Sequence, residues 1–241
     1  VFVSPNLVDD EEISLRDTCR ALSGNLDNYI EDNTVVAVSW GKTLNCLAGQ
    51  IQPLKAKDIK VVQLNGGVAK SASSTGASQI VDALTMAGHG IGYMFPVPAI
   101  VDSKHTSEIL QEETQVKNVL RLAKEAEVSI FSIGALSKDS ILYEVEYLKD
   151  EDFQALEKNK AVGDIASRYF DIKGNIALKE LDDRVVGFGL EELREKEWTI
   201  AIAVGVNKVD AIIGALRAGF MNVLYTDEKT AREILNRNLL G

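Results

Sequence analysis

The sequence predicts an α/β fold: a mostly parallel, Rossmann-like sheet with helices on both faces. Three observations carry this. Four short runs are almost wholly apolar and β-rich: Val35-Val36-Ala37-Val38, Val61-Val62-Gln63-Leu64, Val128-Ser129-Ile130-Phe131-Ser132-Ile133 and Thr199-Ile200-Ala201-Ile202-Ala203-Val204. Such strands are buried on both faces, as in a parallel sheet covered by helices. The segments between them carry apolar residues at the helical period. Strand and helix patterns also alternate, so the connections are right-handed crossovers.

The elements follow in order. Strand 35–38 runs through Ser39-Trp40-Gly41-Lys42-Thr43 into an apolar helix, Leu44–Ile51. Strand 61–64 ends in Asn65-Gly66-Gly67, whose glycines permit positive φ and close backbone approach. Val116, Val119, Leu120, Ala123 and Ala126 form one helical stripe before strand 128–133. Ser137 to Glu197 is rich in charge (Glu144, Glu146, Lys149, Asp150, Glu151, Asp152) and reads as an insertion or peripheral subdomain within one domain, 1–241. Strand 199–204 leads through Gly205-Val206-Asn207-Lys208 to a helix carrying Val209, Ile212, Ile213 and Leu216. A short strand, Asn222–Tyr225, is followed by Thr226-Asp227, a good cap for a last helix with Ala231, Ile234 and Leu235.

Composition narrows the function. With 241 residues, 46% hydrophobic, and 4 prolines, the chain can bury a sizeable core, which excludes disorder, collagen and coiled coil. No stretch approaches the roughly 20 apolar residues of a membrane span, and a cytoplasmic protein is expected. Lys and Arg number 26 against 36 Asp and Glu, a net charge of −10, so these residues alone would repel a phosphate backbone. Cys19 and Cys46 have no metal spacing, and His89 and His105 are too few for a multi-histidine centre. No metal or cofactor is expected.

Ligands of parallel α/β sheets bind outside the carboxyl ends of the strands, so the turns are where to look. Gly41-Lys42-Thr43 exposes helix N-terminal N–H groups suited to phosphate, with an ammonium and a hydroxyl nearby. Alternatively, Gly41 turns the chain and Thr43 caps the helix. Val36 stands where a Walker loop needs glycine, which disfavours nucleoside triphosphates. Gly66-Gly67 is an ordinary loop or a ligand approach, and the polar run Lys70–Thr75 could supply hydroxyls. Asp164, in Ala161-Val162-Gly163-Asp164-Ile165, suits vicinal sugar hydroxyls or else the start of a helix. Lys208 opens a helix, where a cation is unfavourable without an anion. Trp40 suits a sugar face or the core, and Lys104-His105 reads as a surface pair. There is no Gly-x-Ser-x-Gly elbow, Cys–His pairing or carboxylate pair, so no catalytic residue is assigned.

Taken together, Val38–Leu44, Val61–Gly67, Ala161–Ile165 with Arg168-Tyr169-Phe170-Asp171, and Leu224–Asp227 with Ala231 resemble the effector-binding domain of the SorC family of bacterial transcriptional regulators. The resemblance runs from about Val35 to Leu235. It implies a fold similar to glucosamine-6-phosphate deaminase and ribose-5-phosphate isomerase, and a phosphorylated-sugar effector that alters oligomerisation and DNA binding. It also implies that Gly41, Lys42 and Thr43 hold the phosphate, with Lys208 adding a cation. Gly66 and Gly67 would approach with their N–H groups, and Asp164 would accept hydroxyls. Asn65 stands where relatives often carry Arg or Lys; its amide can hydrogen-bond but cannot form an imine. Val206 departs from the small residue of many relatives. Operator DNA would be met by an N-terminal helix-turn-helix outside this chain, which begins at Val1. A homodimer is expected, or a tetramer in the full-length protein. The alternative is a sugar-phosphate isomerase or deaminase, with Asp164 as its base.

Overall fold

The structure is a computed structural model and describes residues 1–68 and 77–239. Its strands are β1 (Phe2–Ser4), β2 (Val35–Val38), β3 (Lys60–Gln63), β4 (Ile91–Tyr93), β5 (Val128–Ser132), β6 (Gly134–Ala135), β7 (Ala161–Ile165), β8 (Arg168–Asp171), β9 (Trp198–Ile202) and β10 (Val223–Asp227). The helices are α1 (Glu11–Ser23), α2 (Lys42–Ala48), α3 (Ala77–Ala87), α4 (Lys104–Glu112), α5 (Thr114–Glu125), α6 (Ile141–Glu144), α7 (Asp150–Lys158), α8 (Lys179–Asp182), α9 (Val209–Ala218) and α10 (Glu228–Leu239).

A strand's side chains alternate between faces, so a four-residue apolar strand feeds two cores. Val35 and Ala37 pack on one side with Val119 and Ala123 of α5 and Ile212 of α9. Val36 and Val38 pack on the other with Leu22 of α1, Leu44 of α2 and Leu84 of α3. That is why β2 shows no polar alternation. The two short strands β1 and β4, which give weaker sequence signals, lie at the sheet's edges.

The seven-stranded sheet has the order β1-β10-β9-β5-β2-β3-β4, and every neighbouring pair is parallel. The chain moves outward from β2 through β3 to β4, then returns to β5 on the opposite flank of β2. The order reverses between β2 and β5, and a crevice opens there at the carboxyl edge.

The charged stretch from Ser137 to Glu197 supplies β7 and β8, which join β6 in a second, three-stranded sheet, with a small core of its own. Leu142, Phe153, Leu156, Tyr169 and Leu181 pack there, whereas Ile165 and Phe170 face the main core. The segment around Asp164 is therefore not a strand-to-helix turn. It is an antiparallel hairpin turned by Ala166 (φ 50°) and Ser167 (φ 70°). Positive φ at both turn residues matches the twist of the flanking strands. Neither is glycine, so the usual hairpin signal is missing.

Gly66 serves a close approach of backbone to backbone. A Cβ there would lie 2.4 Å from the Pro98 carbonyl oxygen.

Candidate functional site

At the β2–β5 switch point a cavity of about 430 Å³ opens. Gly41, Lys42, Thr43, Asn65, Asp164 and Lys208, separate in sequence, all line it. Gly66 and Gly67 do not. Their N–H groups donate to Val186 O and Val97 O, at 3.0 and 2.9 Å, so the structure uses them to hold loops together rather than to face the cavity. The run Lys70–Thr75 lies outside the described residues.

One wall is the turn after β2. Gly41 has φ 130°, which lets the chain leave the strand and enter α2 at once. The first-turn N–H groups of α2 have no carbonyl four residues back within the helix. Thr43 is buried but makes no capping bond. The Lys42 ammonium reaches out to Glu144 of α6, 3.8 Å away, with both side chains largely exposed. The Trp40 indole N–H donates to Gly66 O at 2.8 Å, while its ring packs on the small core and lines the cavity. Ser39 Oγ accepts from Ser132 N at 3.4 Å and ties the ends of β2 and β5.

Asn65, Asp164 and Lys208 also line the cavity. Asn65 is 1% exposed. Its Nδ2 donates to Ser167 Oγ at 3.0 Å, and its Oδ1 has no partner. A buried acceptor of this kind costs free energy unless something supplies a donor. The Ser167 N–H donates to Asp164 Oδ2 at 3.1 Å, closing the hairpin turn. Burial pushes the Asp164 carboxyl up to about 6, against the opposing pull of the Ser167 N–H and Lys208. Lys208 ends the 3₁₀ turn Val206–Lys208, which leads directly into α9. Burial lowers its pKa, with Glu11 and Asp164 acting the other way. The cavity thus combines two helix entries and a desolvated ammonium with a carboxylate and an orphan carbonyl. It offers donors to an anion and acceptors to hydroxyl groups.

No site role is expected from sequence for Ser132 at the end of β5, Gly134 just beyond it, Ser140, or Glu11 at the start of α1, yet all line the cavity. The strand-end rule applied to β5 would have found the first two. Ser140 and Glu11 come from elements that only folding brings near.

Asp164 makes stability depend on pH. Its carboxyl ionises less readily folded than unfolded, so the folded chain keeps its proton longer. Stability is then fullest below the unfolded value near pH 4 and declines as pH rises toward 6. Asp164→Asn should keep the turn's acceptor and remove this decline. Thermal melting should show a variant more stable than the parent at pH 7.5, on the order of 1–3 kcal/mol, and similar to it at pH 4. Equal pH profiles would refute the assignment.

The family model described as "Putative sugar-binding domain" matches residues 1–236. The deoxyribonucleoside regulator of Bacillus subtilis is 34% identical over 207 residues, which are 86% of this chain and 66% of that protein. The chain therefore spans just under two thirds of that relative's length. A DeoR family transcriptional regulator from Listeria monocytogenes superposes with a TM-score of 0.88 at 26% identity, over 97% of this chain and 92% of that one. In fold, the chain also matches the full-length sorbitol operon regulator SorC from Klebsiella pneumoniae, with a TM-score of 0.87 at 21% identity, over 98% of this chain and 75% of that one. Among the described residues no helix is long and apolar enough to cross a membrane. A sheet that reverses at a polar crevice and the match over nearly the whole length lead to one conclusion: the chain belongs to the sugar-binding domain family of SorC- and DeoR-type transcriptional regulators.

Proposed function

We propose that the cavity binds a phosphorylated sugar as an effector, and that the bound sugar changes how the regulator assembles and meets operator DNA. The observation that carries this is the pairing, across one cavity, of Lys208 with Asp164 and the orphan Asn65 Oδ1. The phosphate would lie against the α2 entry at Gly41–Thr43, within reach of Lys208. The hydroxyls would face Asp164 and Asn65. DNA contact belongs to a module outside this chain, which accounts for the net charge of −10. The working compartment is the cytoplasm.

Calorimetry with aldose, ketose and amino-sugar phosphates and their unphosphorylated partners tests the reading. The matching phosphosugar should bind about 100-fold more tightly than its unphosphorylated form, the equivalent of one strong charge-assisted hydrogen bond of about 2.7 kcal/mol, and the affinity should fall with salt. Equal binding of both forms would refute the phosphate. The same panel is assayed for turnover. An isomerase or deaminase needs a base within about 3 Å of the substrate proton, and Asp164 is the candidate for that role. Saturable binding without turnover supports the sensor.

A symmetric operator calls for at least a dimer. Sedimentation should find a homodimer of this chain, with phosphosugar shifting its stability or its further association toward a tetramer. A monomer at high micromolar concentration in both conditions would exclude this.

A further inference from the structure

Cys19 and Cys46 come from different helices and meet at the seam between α1 and α2. Cys19, in the middle of α1, is fully buried. Its thiol lies 3.8 Å from the Thr43 carbonyl oxygen, directly behind the cavity wall. Cys46 lies in α2 and is part-exposed. Cys46 lies one turn after Thr43 on α2, so the packing that sets the Cys19 thiol against the Thr43 carbonyl brings both cysteines to one seam, in one packed cluster. Arg16 and Glu12, one and two turns up α1, are the charged groups near Cys46, and Lys208 is the cation near Cys19.

We infer that Cys46 and Cys19 form a peroxide-reactive pair, in which Cys46 is the attacking thiol and Cys19 resolves it into a reversible disulfide clamping α1 to α2. The assignment of roles follows from access and charge. A small oxidant reaches Cys46 and not Cys19. The neighbouring Cys19 thiol holds the Cys46 pKa down to about 7, and Arg16 helps, against burial and Glu12. Burial and the thiolate beside it keep Cys19 protonated. The nucleophile is the thiolate, so Cys46 reacts first.

The Cys46 sulfur attacks the outer oxygen of a hydroperoxide and the O–O bond breaks. Sulfur becomes a sulfenic acid, and an alcohol, or water from hydrogen peroxide, leaves with the proton. The Cys19 sulfur then attacks the sulfenyl sulfur, the S–O bond breaks, and hydroxide leaves as water carrying the Cys19 proton. Two thiols lose two electrons and the hydroperoxide gains them. A closed staple would pull on Thr43 through Cys19, so the oxidation state reaches the cavity wall.

The test uses the whole chain and hydrogen peroxide at a few equivalents, read by intact mass and thiol titration, neither of which involves a sugar. Both thiols should disappear with a loss of two mass units, and a phosphine reductant should restore them. Cys19→Ser should stop at a Cys46 sulfenic acid that dimedone captures, and Cys46→Ser should leave Cys19 unreacted. At pH 7, iodoacetamide should alkylate Cys46 about tenfold faster than a cysteine peptide. Stepwise oxygen addition to Cys46 with Cys19 still a free thiol would overturn the pair. So would disulfides formed only between two chains, or alkylation at the peptide's rate.

Discussion

Lys208→Met should weaken phosphosugar binding by roughly 10- to 100-fold, the largest loss expected from one substitution in the cavity. A hydrogen bond between an ammonium and a phosphate contributes about 1.5–3 kcal/mol, and each 1.4 kcal/mol is a factor of ten in affinity. Methionine keeps most of the stem's length and volume, so packing around α9 survives. In the empty protein the change should be neutral or stabilising, because burial penalises the ammonium there by more than the Glu11 and Asp164 charges favour it. Calorimetry and thermal melting on the same variant separate the two effects. A lower melting temperature with unchanged affinity would make Lys208 a structural residue and remove it from the site.

Arg168→Met should cost about 3–5 kcal/mol, the largest stability loss expected from a polar substitution. The guanidinium is almost wholly buried beside the turn of the hairpin that carries Asp164. It donates to Phe188 O at 2.7 Å and Gly187 O at 3.0 Å, and pairs with Asp182 Oδ1 at 2.6 Å. Removing it leaves a carboxylate that is 13% exposed with only the exposed Lys179 ammonium, 3.5 Å away, as a charge partner, together with carbonyls that have lost their donor. Breaking one side of such a pair is far more damaging than replacing both. For a chain of this size the melting temperature should fall by roughly 10 °C. The double variant Arg168→Met, Asp182→Leu should recover part of the loss, since the unpaired charge is gone. A single variant within 1 kcal/mol of the parent would show that the network does not hold the hairpin.

Much of the fold was legible because buried parallel strands leave a strong composition signature. The runs at 35–38, 61–64, 128–133 and 199–204 all fall within a residue or two of the observed strands. Thr226-Asp227 also behaves as read, with Asp227 Oδ1 accepting from Thr230 N at 3.3 Å. The hairpin at Ala161–Asp171 was illegible because its turn puts alanine and serine at positive φ, a choice that tertiary packing enforces and local propensity disfavours. Gly66 and Gly67 read equally as an ordinary loop or a ligand approach, because a double glycine announces close approach without saying what approaches. The neighbour is the Val97–Pro98 backbone.

The sequence by itself determined the α/β class, the two-faced strands and the strand-end turns at Gly41 and Lys208, because each is a local pattern of apolar spacing or turn chemistry. Only the tertiary structure decided which of these turns share a cavity. The reversal of strand order between β2 and β5 brings Gly41 and Ser132 side by side, and the hairpin carries Asp164 over to Asn65 and Lys208. It likewise set Cys19 against Cys46 across two packed helices. Contacts of this kind depend on long-range packing and strand register. No run of neighbouring residues encodes them, because their free energy exists only once the whole sheet has closed.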